Sequence, residues 1–258
     1  MRRFLTTLLL AATSFISFAQ TSAIGPLKFL GIPIDGSESQ MISQLKAKGF
    51  TYNSVGEYLS GQFNGRSVNV YIHTNHSLVD RIYVSFPSTT EGDIRVEFNR
   101  LLDQFNKSDK YLDLDMNEPI PDSEDISYEI GANSKRYQAT FTYIDMDKDP
   151  VEFTSALLDG FSGVISEDVL NGMKERFATK QDLTEEEQNN LSVTIAAELQ
   201  QSLGDDEEKA IQFVLAYLSR MKELADGQVW FMIHENYGKY NIGLYYDNLH
   251  NRAHGEDL

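Results

Sequence analysis

Gly61-Gln62-Phe63-Asn64-Gly65-Arg66-Ser67-Val68-Asn69-Val70-Tyr71-Ile72 is the stretch from which the fold can be built outward. Asn64-Gly65 is the dipeptide that best accepts positive backbone angles at both centres of a two-residue turn. Beyond it Val68, Val70 and Ile72 alternate with Ser67, Asn69 and Tyr71, the period of a strand with one face buried and one wet. The stretch predicts an antiparallel hairpin whose first arm runs over residues 57–63. Downstream, Ile82, Val84 and Phe86 alternate with Arg81, Tyr83 and Ser85, which predicts a third strand from Val79 to Phe86. Upstream, Phe29 to Ile34 is a short apolar run, and Ser37 with Gln40 forms a capping-box pattern. The helix that it opens lines one face with Met41, Ile42 and Leu45 and stops at Gly49.

Past the third strand, Ile94, Phe98, Leu101, Leu102 and Phe105 recur at the spacing of one helical face, predicting an amphipathic helix over residues 91–107. Tyr128–Ile130, a turn at Gly131–Lys135, and Arg136–Ile144 with Tyr137, Ala139, Phe141 and Tyr143 on one side read as a second hairpin. From Val151 to Asp226 the period is helical. The expected apolar faces are Val169, Leu170, Met173 and Phe177, then Leu191, Ile195 and Leu199, then Ile211, Val214, Leu215, Leu218 and Met221. Thr184 with Glu187 is another capping box, and Glu185–Glu187 and Asp205–Glu208 stand where first turns favour negative charge. Val229–Glu235 and Tyr240–Asp247 flank Asn236-Tyr237-Gly238-Lys239, a last hairpin. The order implies an α+β fold, an antiparallel sheet with helices packed on it and a helical insertion before the last hairpin. The expected division is a signal peptide at 1–19, a sheet domain at 20–150, a helical block at 151–227 and a C-terminal hairpin with its tail at 228–258.

Arg2 and Arg3, the apolar run Phe4–Phe18 and the small residues around Ala19 have the three parts of a cleavable secretory leader. The apolar run is shorter than the roughly 20 residues a spanning helix needs, so an exported protein that is not an integral membrane protein is expected. Cleavage near Ala19 would leave it in the periplasm or outside the cell. With no cysteine, neither a disulfide nor a lipid anchor on a cysteine is expected. Losing Arg2 and Arg3 from 22 basic residues against 39 acidic ones changes the net charge from −17 to −19. Nucleic acid is therefore a poor partner.

Phe29-Leu30-Gly31-Ile32-Pro33-Ile34-Asp35-Gly36, Gly61–Gly65 and Ile242-Gly243-Leu244-Tyr245-Tyr246-Asp247-Asn248 resemble phrases of exported proteins of unassigned function from Gram-negative, gut-type bacteria. In architecture, the opening helix and hairpin are similar to the unit of beta-lactamase-inhibitor-like small proteins. The second resemblance implies binding of another protein through an antiparallel sheet.

Motifs for chemistry fail on their spacing. His73 and His76 are three apart, which sends them to opposite faces of a strand, and His250 and His254 lie in a terminal tail with Glu256 and Asp257. Asp145, Asp147 and Asp149 begin like a calcium loop, but Pro150 and Ala156 occupy the positions that need Gly and Glu. Asp113, Asp115, Asn117 and Glu124 fit the ligand spacing better, with Glu118 in place of the turn glycine. Gly160-Phe161-Ser162-Gly163 has its second glycine one residue too early for a nucleophile elbow. No catalytic residue, metal ligand or cofactor is assigned. Three sequons, at Asn75, Asn106 and Asn190, would accept glycans in a eukaryotic secretory route.

Aromatic usage is the remaining clue, because Tyr58, Tyr71, Tyr83, Tyr143, Tyr240, Tyr245 and Tyr246 all fall on expected strands. A tyrosine offers a flat apolar body with a polar tip, which suits a recognition face as well as a half-buried sheet. Tyr71, Tyr83, Tyr143, Tyr245 and Tyr246 are the candidate binding residues, with an envelope protein or a glycan as partner. The expected function is non-catalytic binding in the cell envelope; the alternatives are a hydrolase of an extracytoplasmic polymer and a calcium-stabilised structural protein.

Overall fold

A computed structural model describes residues 25–145, 150–178, 194, 197–198, 201–204 and 206–252 of the chain. The leader, Asp147 and Asp149, the Thr184–Glu187 box, the Leu191, Ile195 and Leu199 face, Asn190, and the tail from residue 253 with His254 lie outside these residues. The chain divides into two compact units, one of Pro26–Ile144 with Ala225–Leu258 and the other including Asp145–Leu224.

The first unit is built on a seven-stranded sheet in which every neighbouring pair is antiparallel. A two-residue ribbon, β1 (Lys28–Phe29) with β2 (Ile32–Pro33), precedes it. The Ser37–Gln40 capping box closes in both directions and opens α1, Glu38–Ala47. Then come β3 (Thr51–Asn53), β4 (Tyr58–Phe63), β5 (Arg66–Asn75) and β6 (Leu78–Ser85) as a meander. α2 (Glu91–Asn106), α3 (Ile126–Asn133) and β7 (Gln138–Tyr143) follow, and β8 (Gly227–Asn236) and β9 (Lys239–Asn248) return to the sheet after the helical insertion. The spatial order is β3-β4-β5-β6-β9-β8-β7, so the last hairpin joins the meander to β7.

Asn64 and Gly65 take φ of 52° and 74°, the left-handed values that a two-residue turn between right-twisted strands requires. Tyr237 and Gly238 repeat this at 50° and 73°. The β5–β6 turn uses His76 and Ser77 at 48° and 67°, two side-chain-bearing residues where glycine would be unstrained.

One level of the core face runs across six strands through Leu59, Val70, Val84, Leu244, Phe231 and Ala139, all buried. α1 lays Met41 and Leu45 inward near β5 and β6, and α2 lays Ile94, Phe98, Leu101, Leu102 and Phe105 inward against β8 and β9. Phe98 meets Phe231 edge to face at 4.9 Å, and Phe105 stacks on Phe141 at 5.0 Å. Burying each Leu, Ile or Phe of this layer contributes about 1.5–3 kcal/mol.

Two expectations are corrected. Residues 126–133 are helical and form no strand, so the 128–144 hairpin does not exist and β7 pairs with β8 instead. Asp125 caps the helix by accepting from the Tyr128 N–H, Ile126 enters the core, and Tyr128 is exposed. Ser134 in the left-handed conformation ends it.

The second unit contains α4 (Pro150–Asp159), α5 (Glu167–Ala178) and α6 (Glu207–Glu223), with α4 packed on both of the others. Leu170 and Met173 are buried as expected. The buried face of α6 is Ala210, Phe213, Tyr217 and Met221, whereas Ile211 and Leu215, expected inside, are exposed. Aromatic packing sets the rotation: Phe161 stacks on Phe213 at 4.5 Å and lies parallel to Tyr217 at 6.4 Å.

Candidate functional site

Strand residues between the core positions project from the opposite face of the sheet, which α1 and α2 do not cover. Tyr71, Tyr83, Tyr245 and Trp230 stand in register on β5, β6, β9 and β8. Adjacent rings stack at centroid distances of 5.4, 4.7 and 3.8 Å, with interplanar angles falling from 22° to 16° to 7°. Tyr58 on β4 extends the row, 5.6 Å from Tyr71. All five side chains are half-buried. The result is an aromatic row across five strands, in which the Tyr71, Tyr83, Tyr245 and Trp230 rings stack on one another and the Tyr58 ring is tilted by 45° to that of Tyr71.

The Trp230 end is held by charge. Arg81 grips Asp247 with both arms, Nε to Oδ1 at 2.5 Å and Nη2 to Oδ2 at 2.8 Å, and the Trp230 indole N–H donates to Oδ2 at 3.0 Å. Asp247 is 1% exposed, and its hydrogen bond holds the Arg81 guanidinium above its ordinary pKa. The guanidinium also lies 5.7 Å from the Tyr245 ring centre and 5.8 Å from that of Trp230, within cation–π range. Register explains the cluster, because Arg81, Asp247 and Gln228 stand one level along from the aromatic row.

On the other side of the row stands Gly243, between Ser85 and Met232. A Cβ there would come within 2.7 Å of His234 Nε2 and 3.0 Å of both the Tyr245 hydroxyl and the Tyr83 ring, so the three side chains lean over the gap glycine leaves. His234 Nε2 and the Tyr245 hydroxyl are 3.3 Å apart. Burial lowers the His234 pKa, and burial followed by the neighbouring Tyr83 pushes Tyr245 up to about 12.

Of the five tyrosines singled out in the sequence, Tyr71, Tyr83 and Tyr245 come together in this row. Tyr143 and Tyr246 do not; they are 2% and 6% exposed on the core face, Tyr246 edge to face with Phe29 and Tyr143 near Tyr111. Tyr245 and Tyr246 are consecutive on a strand and so point to opposite faces. Trp230, Arg81 and Asp247 were missed. The alternation of Val229, Phe231 and Ile233 already turns Trp230 outward, but the β6–β9 pairing that joins Arg81 to Asp247 is non-local.

The other candidates have local roles. His73 Nδ1 meets Asp80 Oδ1 at 2.6 Å across a bulge in the β5–β6 ladder, and His250 Nε2 meets Asp226 Oδ1 at 2.7 Å. His76 occupies a turn. The Asp113 carboxylate accepts from the Asn117 backbone and side chain. Glu124 accepts from Lys135 and Tyr137, which hold its pKa below the usual carboxylate range. Ser162 is exposed beside Gly163 and bridges to Ile165. Among the described residues no group of three or more His, Cys, Asp or Glu is arranged around a metal, and no helix is long and apolar enough to cross a membrane.

Seven antiparallel strands with helices packed on one face place the first unit in the α+β class. No family model, curated protein or solved structure matches the chain.

Proposed function

We propose that this chain is a non-catalytic binding protein of the cell envelope, exported by its leader, that takes its ligand on the open face of the sheet. The observation that carries this reading is the aromatic row from Tyr58 to Trp230, placed on the face that the core does not use and anchored by Arg81 and Asp247. The core face already has its own aromatic layer in Phe98, Phe105, Phe141 and Phe231. The row adds a semi-rigid, half-buried aromatic surface, which loses little side-chain entropy when it binds. Its titratable groups suit fixed contacts, since Asp247 is tied by three hydrogen bonds.

The test is affinity capture by residues 20–258 from native envelope and culture fluid, comparing wild type with Tyr71→Ala/Tyr83→Ala. Each lost cross-strand aromatic pair costs about 0.2–1 kcal/mol, so the variant stays folded, which circular dichroism checks. Loss of the captured component supports the open face; capture by the folded variant at the wild-type level refutes it.

A further inference from the structure

Beside the tyrosine row the same face drops to a shelf of short polar side chains. On β4, β5 and β6, Ser60, Asn69 and Ser85 stand side by side in register, and two positions along each strand the next outward residue is Tyr58, Tyr71 or Tyr83. Gln62 and Ser67 extend the shelf by one more level. The shelf lies in an open depression of about 410 Å³, completed by Gly61, Val68, Phe86 and Pro87. That volume is within the range of small-ligand sites, about 300–1,000 Å³.

The chemistry of the lining is specific. It contains no Asp, Glu, Lys, Arg or His. Ser60 Oγ donates to Asn69 Oδ1 at 3.0 Å and Gln62 Nε2 donates to Ser67 Oγ at 2.7 Å, so each amide is oriented by a neighbour through one of its two ends. The other ends, Asn69 Nδ2 and Gln62 Oε1, and the Ser85 hydroxyl have no partner among the described residues. The shelf therefore offers fixed donors and acceptors together, without net charge, over three strands that span roughly 10 Å. An anion finds no cation here and a cation finds no carboxylate. An apolar ligand would cover the free amide ends without satisfying them, at about 1–3 kcal/mol each. The matching ligand is uncharged and carries closely spaced hydroxyls that both donate and accept.

Resting on the reading that the open face binds, we infer that this shelf is the binding site for a neutral saccharide, one or two hexose units of which contact Ser60, Asn69, Gln62 and Ser85. The amides of Asn69 and Gln62 then select for hydroxyl pairs.

Native affinity electrophoresis of residues 20–258 through gels cast with galactomannan, xyloglucan, dextran or polygalacturonate tests it. At least one neutral polysaccharide is expected to retard the wild-type protein. Asn69→Ala and the near-isosteric Asn69→Asp each weaken retardation at least tenfold, while Val55→Ser, far out on an exposed turn, leaves it unchanged. Retardation by polygalacturonate alone, by no neutral polymer, or equally for wild type and both Asn69 variants overturns the saccharide site. If it is overturned while capture from native envelope still depends on Tyr71 and Tyr83, the open face binds another class of ligand, such as a protein. If capture is also indifferent to those tyrosines, both readings fall.

Discussion

Arg81→Met would leave Asp247 as a carboxylate 1% exposed, with only the Trp230 indole N–H still donating to it of the three bonds that Arg81 and Trp230 make. Breaking a buried pair by removing one partner costs about 3–5 kcal/mol. The Arg81 side chain is itself 30% exposed, which screens the pair and places the expected loss at the low end, about 3 kcal/mol. Asp247→Asn is milder, about 1–2 kcal/mol: its NH2 faces a donor and loses one bond, but the amide oxygen still accepts and no unpaired buried carboxylate is left. Combining the two removes the buried charge that made the first so costly, so the double variant should lose about 2 kcal/mol, well below the sum. Trp230 is the only tryptophan and touches the pair directly, so urea unfolding at neutral pH followed by its fluorescence reads this unit. A loss below about 1 kcal/mol for Arg81→Met, or a double variant that equals the sum, would refute the argument that Asp247 is a charge the fold must neutralise.

Four further outcomes follow from the packing of the first unit. Gly243→Ala forces His234, Tyr245 and Tyr83 to give way at their outer ends; about 1 kcal/mol of stability should go, with a change in the Trp230 emission that a purely local clash would not produce. His234 has its pKa lowered by burial, so the unfolded chain takes up the proton first. Its contribution is complete above the ordinary histidine value of about 6.5 and fades as pH falls through that value towards the lowered one, so His234→Gln should flatten the stability–pH curve in that window. Asn117 covers part of the outer edge of β7, donating to the Thr140 carbonyl at 2.9 Å and accepting from its N–H at 3.1 Å, next to the Leu112–Thr142 bridge. Asn117→Ala should cost about 1–2 kcal/mol in the urea assay, by leaving the Thr140 N–H and C=O without their side-chain partner. Ser77→Gly removes the strain of a left-handed serine and should raise stability by about 0.5–1 kcal/mol in the urea assay; a loss would mean that the serine side chain has a role of its own.

Much of the sheet could be read directly, because its signals are local. Asn64-Gly65 names its own turn, Ser37 and Gln40 name their helix start, and the two-residue alternation of β5, β6 and β8 separates core from open face before any pairing is known. Where local signals were ambiguous, tertiary contacts decided. Tyr128 to Ile130 alternates like a strand, but Asp125 caps a helix there, and the Glu91 carboxylate receives the Ile126 N–H at 2.8 Å from far along the chain. Residues 207–223 have apolar side chains nearly all round, so the stack on Phe161, not the sequence spacing, selects the buried stripe. The site was half readable for the same reason. Outward tyrosines follow from strand period, whereas their assembly into one row needs β6 (ending at Ser85) to lie beside β9 (starting at Lys239), far apart in the chain. A tyrosine suits a buried face as well as an open one, and parity along each strand is what puts Tyr143 and Tyr246 on the core face.

The central claim is that ligand is held on the open face, and hydroxyl-radical footprinting tests it most directly, because aromatic side chains are the fastest to react and the site is a row of them. With the ligand captured from native envelope bound to residues 20–258, oxidation of Tyr71, Tyr83, Tyr245 and Trp230 should fall together relative to the free protein. Unchanged oxidation at those four with protection elsewhere would contradict the account.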